Sequence, residues 1–586
     1  MKTTWNLDLL YKSILDPKIE QDIKALERAY GLFAKKYRNS KSYTTDEGEL
    51  FKALTDYGYL FDSLRSSWAL NYLGYRQDLN AHDHEAEAKS NLLLDRLTKA
   101  DNSLLFFRLA LENISPTLQK QFLKSKQLAP FKYYLKTVFR WSKHHLSEPE
   151  EKILSLKAQP SQSLWVAGNE KILGRNSITF GKKKLSIGQA INLVADLPGG
   201  ERVLLHREIM ARLKDLSSFA EAELNAIVID KKINDELRHF KKPYSGTLLS
   251  YENEEKTVES LVAAVNDHAS ISHRFYRLKA KLLKAKKLTY ADRNVSIGHI
   301  NHKFAFADGV DLIKKSFGAA DPEFARIFSD YLEAGQIDVF PKVGKTGGAY
   351  CSSNQIGPTF VLLNHVDTAD SVMTLAHEMG HAIHGEYSRK NQPPLYRDYT
   401  IASAEVASTF FENLAFEEIF SRLTEAEKVI ALHDRINDDI QTIWRQIACF
   451  NFELALHNQI RAKGALTKEE IAALMNSEMK KYLGSAVELT EDDGYFFVYW
   501  SHIRRFFYVY SYAFGQLVSK ALYERYRADK GYLAKIKQFL SAGGSQSPED
   551  IFRSIGIDVS DPAFFVEGLR SVSKNIDRLE SLLKKR

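Results

Sequence analysis

A mostly α-helical fold is expected from this chain, and three features of the sequence carry that expectation. Apolar residues recur at helical spacing over long stretches. Only 14 prolines and 30 glycines interrupt 586 residues. β-prone runs are few and short. The clearest periodic stretch, "PKIEQDIKALERAYGLFAKKY" (17–37), places Ile19, Ile23, Leu26, Tyr30 and Phe33 at steps of three and four. Similar patterns fill the next hundred residues, and "AEAELNAIVIDKKINDELRHF" (220–240) is another.

Two segments depart from the helical period. "LWVAGNEKILGRNSITFGKKKLS" (164–186) is turn-rich and marks a boundary, so residues 1–180 are read as an N-terminal helical region and 181–586 as a second, catalytic region. Within 337–371, "GAYCS" and "TFVLLNH" are short β-prone runs between turn residues, which predicts a small sheet. The second run leads directly into a histidine-rich motif.

Composition narrows the function classes. With 44% hydrophobic and 26% charged residues the chain is of ordinary globular type. The N-terminus "MKTTWNLDLLYKS" lacks the apolar core of a signal peptide, and no run of about 18 apolar residues predicts a membrane span. Two distant thiols, Cys351 and Cys449, exclude a disulfide framework and suit a reducing cytoplasm. Net charge is +7, a weak bias. The basic stretch 273–287 carries Arg274, Arg277, Lys281 and Lys284 at helical spacing, with Phe275, Leu278 and Leu282 turned inward. It is read as a solvated helix face, and no nucleic-acid or membrane partner is expected.

The motif is "TLAHEMGHAIHG" (374–385). His377 and His381 stand four apart, so a helix presents both imidazoles on one face, one turn apart, able to grip one ion. Glu378 lies about 100° round the helix and can act as general base on a water beside that ion. Asp367 is the expected N-cap, with Asp370 in the first turn. Gly380 inside the helix predicts close packing of another segment. A third ligand should come from "TIASAEVASTFFENLAFEEIF" (400–420), where spacing allows Glu405 or Glu412. Two imidazoles and one carboxylate leave a position open for water, the catalytic zinc pattern. His384 is read as support, because a fourth protein ligand would close the site.

Two further stretches bear on chemistry. "YFFVYWSHIRRFFYVYSYAFGQL" (495–517) puts Tyr508 and Tyr512 on one helical face, and Tyr510 with Phe514 on another. Tyrosine or histidine donors are suited to an oxyanion. The tandem Gly347–Gly348 in the sheet segment permits close backbone approach of an extended peptide to a strand edge.

Taken together these segments resemble oligoendopeptidase F, within the thimet oligopeptidase group of zinc metallopeptidases. "TWNLDLLYKSILDPKIEQDI", "FYRLKAKLLKAKKLTYADRN", "KTGGAYCSS", "FVLLNH", "AEVASTFFE" and "FYVYSYAFG" occur in the family's order over nearly the whole chain. The resemblance implies two helical halves around a deep substrate channel, one zinc ion, and Glu405 rather than Glu412 as third ligand. It also implies that His502 and Tyr510, then Tyr508, stabilise the oxyanion, with Tyr512 a weaker match near the substrate. It places Gly348 and Ala349 beside the substrate. One departure is "HIRR" where the family often has "HFY", which puts Arg504 and Arg505 at the rim as solvated charges or as contacts for acidic peptides. The expected function is zinc-dependent cleavage of internal bonds in short oligopeptides. The alternatives are a metallocarboxypeptidase of similar helical architecture and a peptide-binding protein that has lost catalysis.

Overall fold

Helix Pro17–Tyr37 shows how the periodic pattern becomes structure: Asp16 caps it by accepting from the Lys18 N–H, Pro17 supplies its first turn, and Ile19, Ile23, Leu26, Tyr30 and Phe33 are all buried. The computed structural model describes residues 1–65, 67–354 and 356–585. Helices dominate throughout, as expected from the sequence. Among the described residues seven short strands accompany them: β1 (Ser177–Phe180), β2 (Lys183–Ser186), β3 (Leu288–Thr289), β4 (Ile337–Asp338), β5 (Tyr350–Ser352), β6 (Phe360–Leu362) and β7 (Val487–Glu488). No helix among the described residues is long and apolar enough to cross a membrane.

The chain divides into two units, each assembled from three segments. The first comprises Met1–Lys143, His302–Arg422 and Arg525–Gly556. Its aromatic core joins Phe33, Tyr37, Tyr43 and Phe107 to the three-stranded sheet β4-β6-β5. Strand β6 pairs parallel with β4 and antiparallel with β5, in register Cys351 with Val361. Trp5 ties the N-terminal segment to this sheet: its indole N–H donates to the Val361 carbonyl at 2.8 Å and its ring packs on Phe360.

The second unit comprises His144–Asn301, Leu423–Glu524 and Ile557–Arg586. Its spine is the 39-residue helix Gly199–Leu237. Both units are discontinuous in sequence, so they follow contact between distant segments rather than a linear division at residue 180. Residues 164–186 are not all turn: Leu164–Arg175 is helical, followed by the hairpin β1–β2. Gly168, which looks like a breaker in sequence, accommodates Phe219, whose ring would lie 2.8 Å from an added Cβ. The basic helix Ala269–Leu282 uses Arg274 internally, in ion pairs with Asp577 and Glu580 at 2.7 and 2.8 Å. Lys279 turns inward and donates to the Arg293 carbonyl and the Asn437 side chain.

Candidate metal centre

The motif lies on helix Ala369–Asn391. Its N-cap is Thr368, whose hydroxyl accepts from Ser371 N–H, and not Asp367, which stands one residue earlier with φ 57°. Leu375, Ala376, Met379 and Ile383 bury one side of this helix. Gly380 permits the crossing of helix Ile401–Arg422, for a Cβ there would stand 2.7 Å from Ser408 Cα. Ser408 is one turn beyond Glu405, so this contact sets the depth at which Glu405 meets the histidines.

The result is a convergent donor set. One donor atom each from His377, His381 and Glu405 lie within 4.8 Å of one another. His377 Nε2 is 3.7 Å from Glu405 Oε2, and the two imidazoles sit edge to face at 4.9 Å. Glu412, the rival ligand on spacing, approaches the other nitrogen: its carboxylate is 3.3 Å from His377 Nδ1. It therefore orients the imidazole from behind, leaving Nε2 to face the donor set. This role escaped the sequence reading, although Glu412 lies seven residues, two turns, after Glu405. Two imidazoles and a carboxylate at this separation fit one divalent ion of zinc type.

Charge in the centre is strongly perturbed. Burial works against a charge on His377, yet the hydrogen bond and charge of Glu412, then Glu378 and Glu405, carry its pKa up to about 9. Burial, with the neighbouring imidazoles, pushes His381 down to about 3. Burial raises the carboxyls of both Glu405 and Glu378, the latter to about 7. Glu378 is 8% exposed and lies beside the Cys351 backbone of β5. His384 is a packing residue, stacked on Tyr399 at 3.7 Å and close to Phe539.

The sheet borders this centre. Among the described residues β5 pairs only with β6, and its Cys351 backbone also hydrogen-bonds the Glu378 carboxyl. A cavity of about 330 Å³ runs between Cys351 and Ser353 on one side and His381 and Glu405 on the other. A second, of about 340 Å³, includes Gly348, Ala349 and the first turn of the motif helix. Gly348 has φ 78°, and nothing among the described residues lies within 4 Å of its missing side chain. Asn364 holds the glycine segment by donating to the Thr346 and Gly348 carbonyls at 2.9 and 2.8 Å.

The aromatic segment belongs to the second unit. His502 Nδ1 contacts the Tyr508 hydroxyl directly. Tyr512 packs nearby, its ring tilted at 5.8 Å from Tyr508 and edge-on at 6.1 Å from His502. All three are half-buried. Burial, then the charges of Arg445 and Arg505, lower the His502 pKa. Tyr510 differs from the expectation: it is wholly buried and its hydroxyl donates to Asn253 at 2.8 Å. It faces the core, whereas Tyr508 is half-buried and meets His502. Arg504 also corrects the sequence reading. It is buried, not solvated, forming a fork on Glu223 at 2.8 Å and donating to the Phe497, Val498 and Trp500 carbonyls. Arg505 alone of the two is exposed.

A helical frame with an HExxH helix crossed by a glutamate helix defines the chain as a candidate mononuclear metal hydrolase. The model of peptidase family M3 matches residues 206–571, and that of the oligopeptidase F N-terminal region matches 111–174. The chain belongs to peptidase family M3 and is thus a peptidase by family. It is 25% identical to oligopeptidase PepF of Bacillus subtilis (strain 168) over 598 residues, covering 99% of this chain and 87% of that protein. Among solved structures it matches a putative peptidase from Chlamydophila abortus with TM-score 0.87 and 22% identity, covering 99% and 98% of the two chains. It also matches oligoendopeptidase-F from Enterococcus faecium with TM-score 0.71 and 17% identity, covering 97% and 99%.

Proposed function

We propose that this peptidase is a zinc-dependent endopeptidase that cuts internal bonds of short oligopeptides. The observation that carries the reading is the convergence of His377, His381 and Glu405 with the Glu378 carboxyl buried beside them. His377, His381 and Glu405 would hold the ion, with Glu412 fixing the His377 tautomer. When bound, zinc supplies Lewis acidity towards the attacking water and the scissile carbonyl.

The chain's own groups do the rest. Glu378 takes a proton from the attacking water and returns one to the leaving amine, a task suited by a carboxyl buried beside the donor set. The His502–Tyr508 pair stabilises the oxyanion: with His502 Nδ1–H donated to the Tyr508 oxygen, the Tyr508 hydroxyl is left to donate to the oxyanion; the resemblance of their segment to the family motif supports this role, and their mutual contact favours Tyr508 over Tyr510. Tyr512 in the second unit, and the Gly348–Ala349 backbone in the first, are each assigned to substrate binding on the resemblance of their segments to the family. The edge of β5 that pairs with no other strand among the described residues accepts an extended peptide through main-chain hydrogen bonds, which suits a peptidase indifferent to most side chains.

The test is digestion of a mixed library of ten-residue peptides, read by mass spectrometry, with and without chelator and beside Glu378→Ala. Internal cuts that vanish in both controls are expected. Single-residue C-terminal trimming would replace the endopeptidase reading with a carboxypeptidase one, and equal cleavage by Glu378→Ala would remove Glu378 from the mechanism.

A further inference from the structure

We propose that Glu453 and Thr247 are positioning residues for the His502–Tyr508 pair, clamping a two-residue left-handed turn, Phe506–Phe507, that sets the course of the chain between them. This inference rests on the reading of that pair as oxyanion donors.

The turn is unusual in itself. Phe506 has φ 47° and Phe507 φ 59°, and neither is glycine. A Cβ in this region crowds the backbone, so bulky residues stay there only when their surroundings impose it. Two side chains from distant parts of the second unit do so. The Phe507 N–H donates to Glu453 Oε1 at 2.8 Å, from helix Trp444–Lys463. The Phe506 carbonyl accepts from Thr247 Oγ1 at 3.0 Å, from helix Ser245–Ser250. One anchor thus grips each residue of the turn, by the donor of one and the acceptor of the other. The rings complete the hold: Phe507 packs on Phe450 at 5.6 Å and on His457 at 4.8 Å.

Location gives the clamp its meaning. His502 sits in the short helical turn Ser501–Arg504, and Tyr508 lies two residues before helix Tyr510–Ala528. Their side chains meet only if the intervening backbone reverses course, and consecutive left-handed residues bend it in a way that extended or right-handed ones do not. Upstream, Arg504 pins the Phe497, Val498 and Trp500 carbonyls while forked on Glu223. The pair is therefore held from both sides. Glu453 is 1% exposed and Oε1 meets the turn's N–H, so an uncharged acceptor of the same shape should serve as well.

The experiment measures kcat, KM and zinc content of the full-length, zinc-loaded protein on an internally quenched peptide for Glu453→Leu, Glu453→Gln, Thr247→Val and His502→Ala. A displaced donor pair lowers kcat with KM and zinc content little changed: about tenfold or more is expected for Glu453→Leu and about threefold for Thr247→Val. Glu453→Gln, whose amide oxygen accepts the same N–H, should restore kcat to near that of the unaltered protein. The proposal is overturned if Glu453→Leu and Thr247→Val both keep full kcat while His502→Ala loses it, or if Glu453→Gln falls as far as Glu453→Leu. Should Glu453→Leu fail to fold, Thr247→Val decides alone: full kcat in it beside a loss in His502→Ala overturns the proposal. Full activity in His502→Ala would instead sink the oxyanion reading on which the clamp depends.

Discussion

Gly380 meets Ser408 where the two metal-site helices cross, so closely that an added Cβ would stand 2.7 Å from the Ser408 Cα and 3.2 Å from the Phe411 Cβ. Both obstacles are close to backbone and cannot swing aside. Gly380→Ala therefore has to push the helices apart, carrying Glu405 away from His377 and His381. Overpacking of this kind costs about 1–3 kcal/mol, offset by the ~1 kcal/mol that alanine gains in a helix. The net effect on stability is small, whereas the donor set is spread. The expected outcome is a melting temperature shifted by a few degrees at most, with a marked loss of zinc on dialysis and of kcat/KM. Metal analysis after dialysis checks it; full zinc retention would show that the crossing does not set the site.

Glu412 holds His377 from behind, at 3.3 Å from Nδ1. An imidazole oriented by a carboxylate is a better and better-aimed ligand. Glu412→Gln keeps the shape and removes the charge, and is expected to weaken zinc binding by about 10–100-fold. Glu405→Gln removes a ligand outright and should lower affinity further. Competition against a chelator of known affinity ranks the three proteins. If Glu412→Gln proves the weaker binder, the two glutamates exchange roles.

The tyrosines separate by burial. Tyr508 is half-buried and in contact with His502, whereas Tyr510 points into the core towards Asn253. Tyr508→Phe is expected to lower kcat about 100-fold with KM little changed, the size of a lost oxyanion donor. Tyr510→Phe should act on stability, by about 1 kcal/mol for a lost buried hydrogen bond, and leave kcat within a few-fold. Steady-state kinetics and urea unfolding on both variants check the assignment, and a reversed pattern would refute it.

These residues also show how far the sequence could be read. His377 and His381 were legible because a four-residue step on a helix fixes them by local geometry alone. The small sheet was legible from β-prone runs bounded by turn residues, and β5 and β6 fall within them. Gly380 signalled a close crossing without naming the partner. What failed depended on residues far away in the chain. Periodicity separated Tyr508 from Tyr510, but which face meets the core is set by Asn253, 257 positions earlier than Tyr510. Arg504 looks like a surface charge until Glu223, 281 positions away, is brought to it. Glu412 reads as a rival ligand because spacing alone does not tell which nitrogen of His377 it meets. Local period, caps and turn chemistry are written in short windows, whereas a buried partner is a property of the tertiary fold.

Lys279 offers a test of the core of the second unit. Its ammonium is buried, bonded to the Arg293 carbonyl and Asn437, and burial pushes its pKa down to about 7. In the unfolded chain the same group titrates near 10.5. Between these values the unfolded chain carries a proton that the native one has released. The lysine's penalty on folding is therefore largest below about pH 7 and is relieved as pH rises towards 10.5. Lys279→Met, similar in length and uncharged, is free of that penalty but loses two hydrogen bonds. The difference in urea midpoint between the two proteins should move in favour of the lysine form from pH 7 to pH 9.5, by the equivalent of a few kcal/mol at most. Paired unfolding curves at the two pH values cancel the titrations that Lys279 does not touch; His433, whose pKa burial lowers with help from the Lys279 charge, titrates below this interval. An unchanged difference would mean that Lys279 stays protonated in the folded chain across the whole interval.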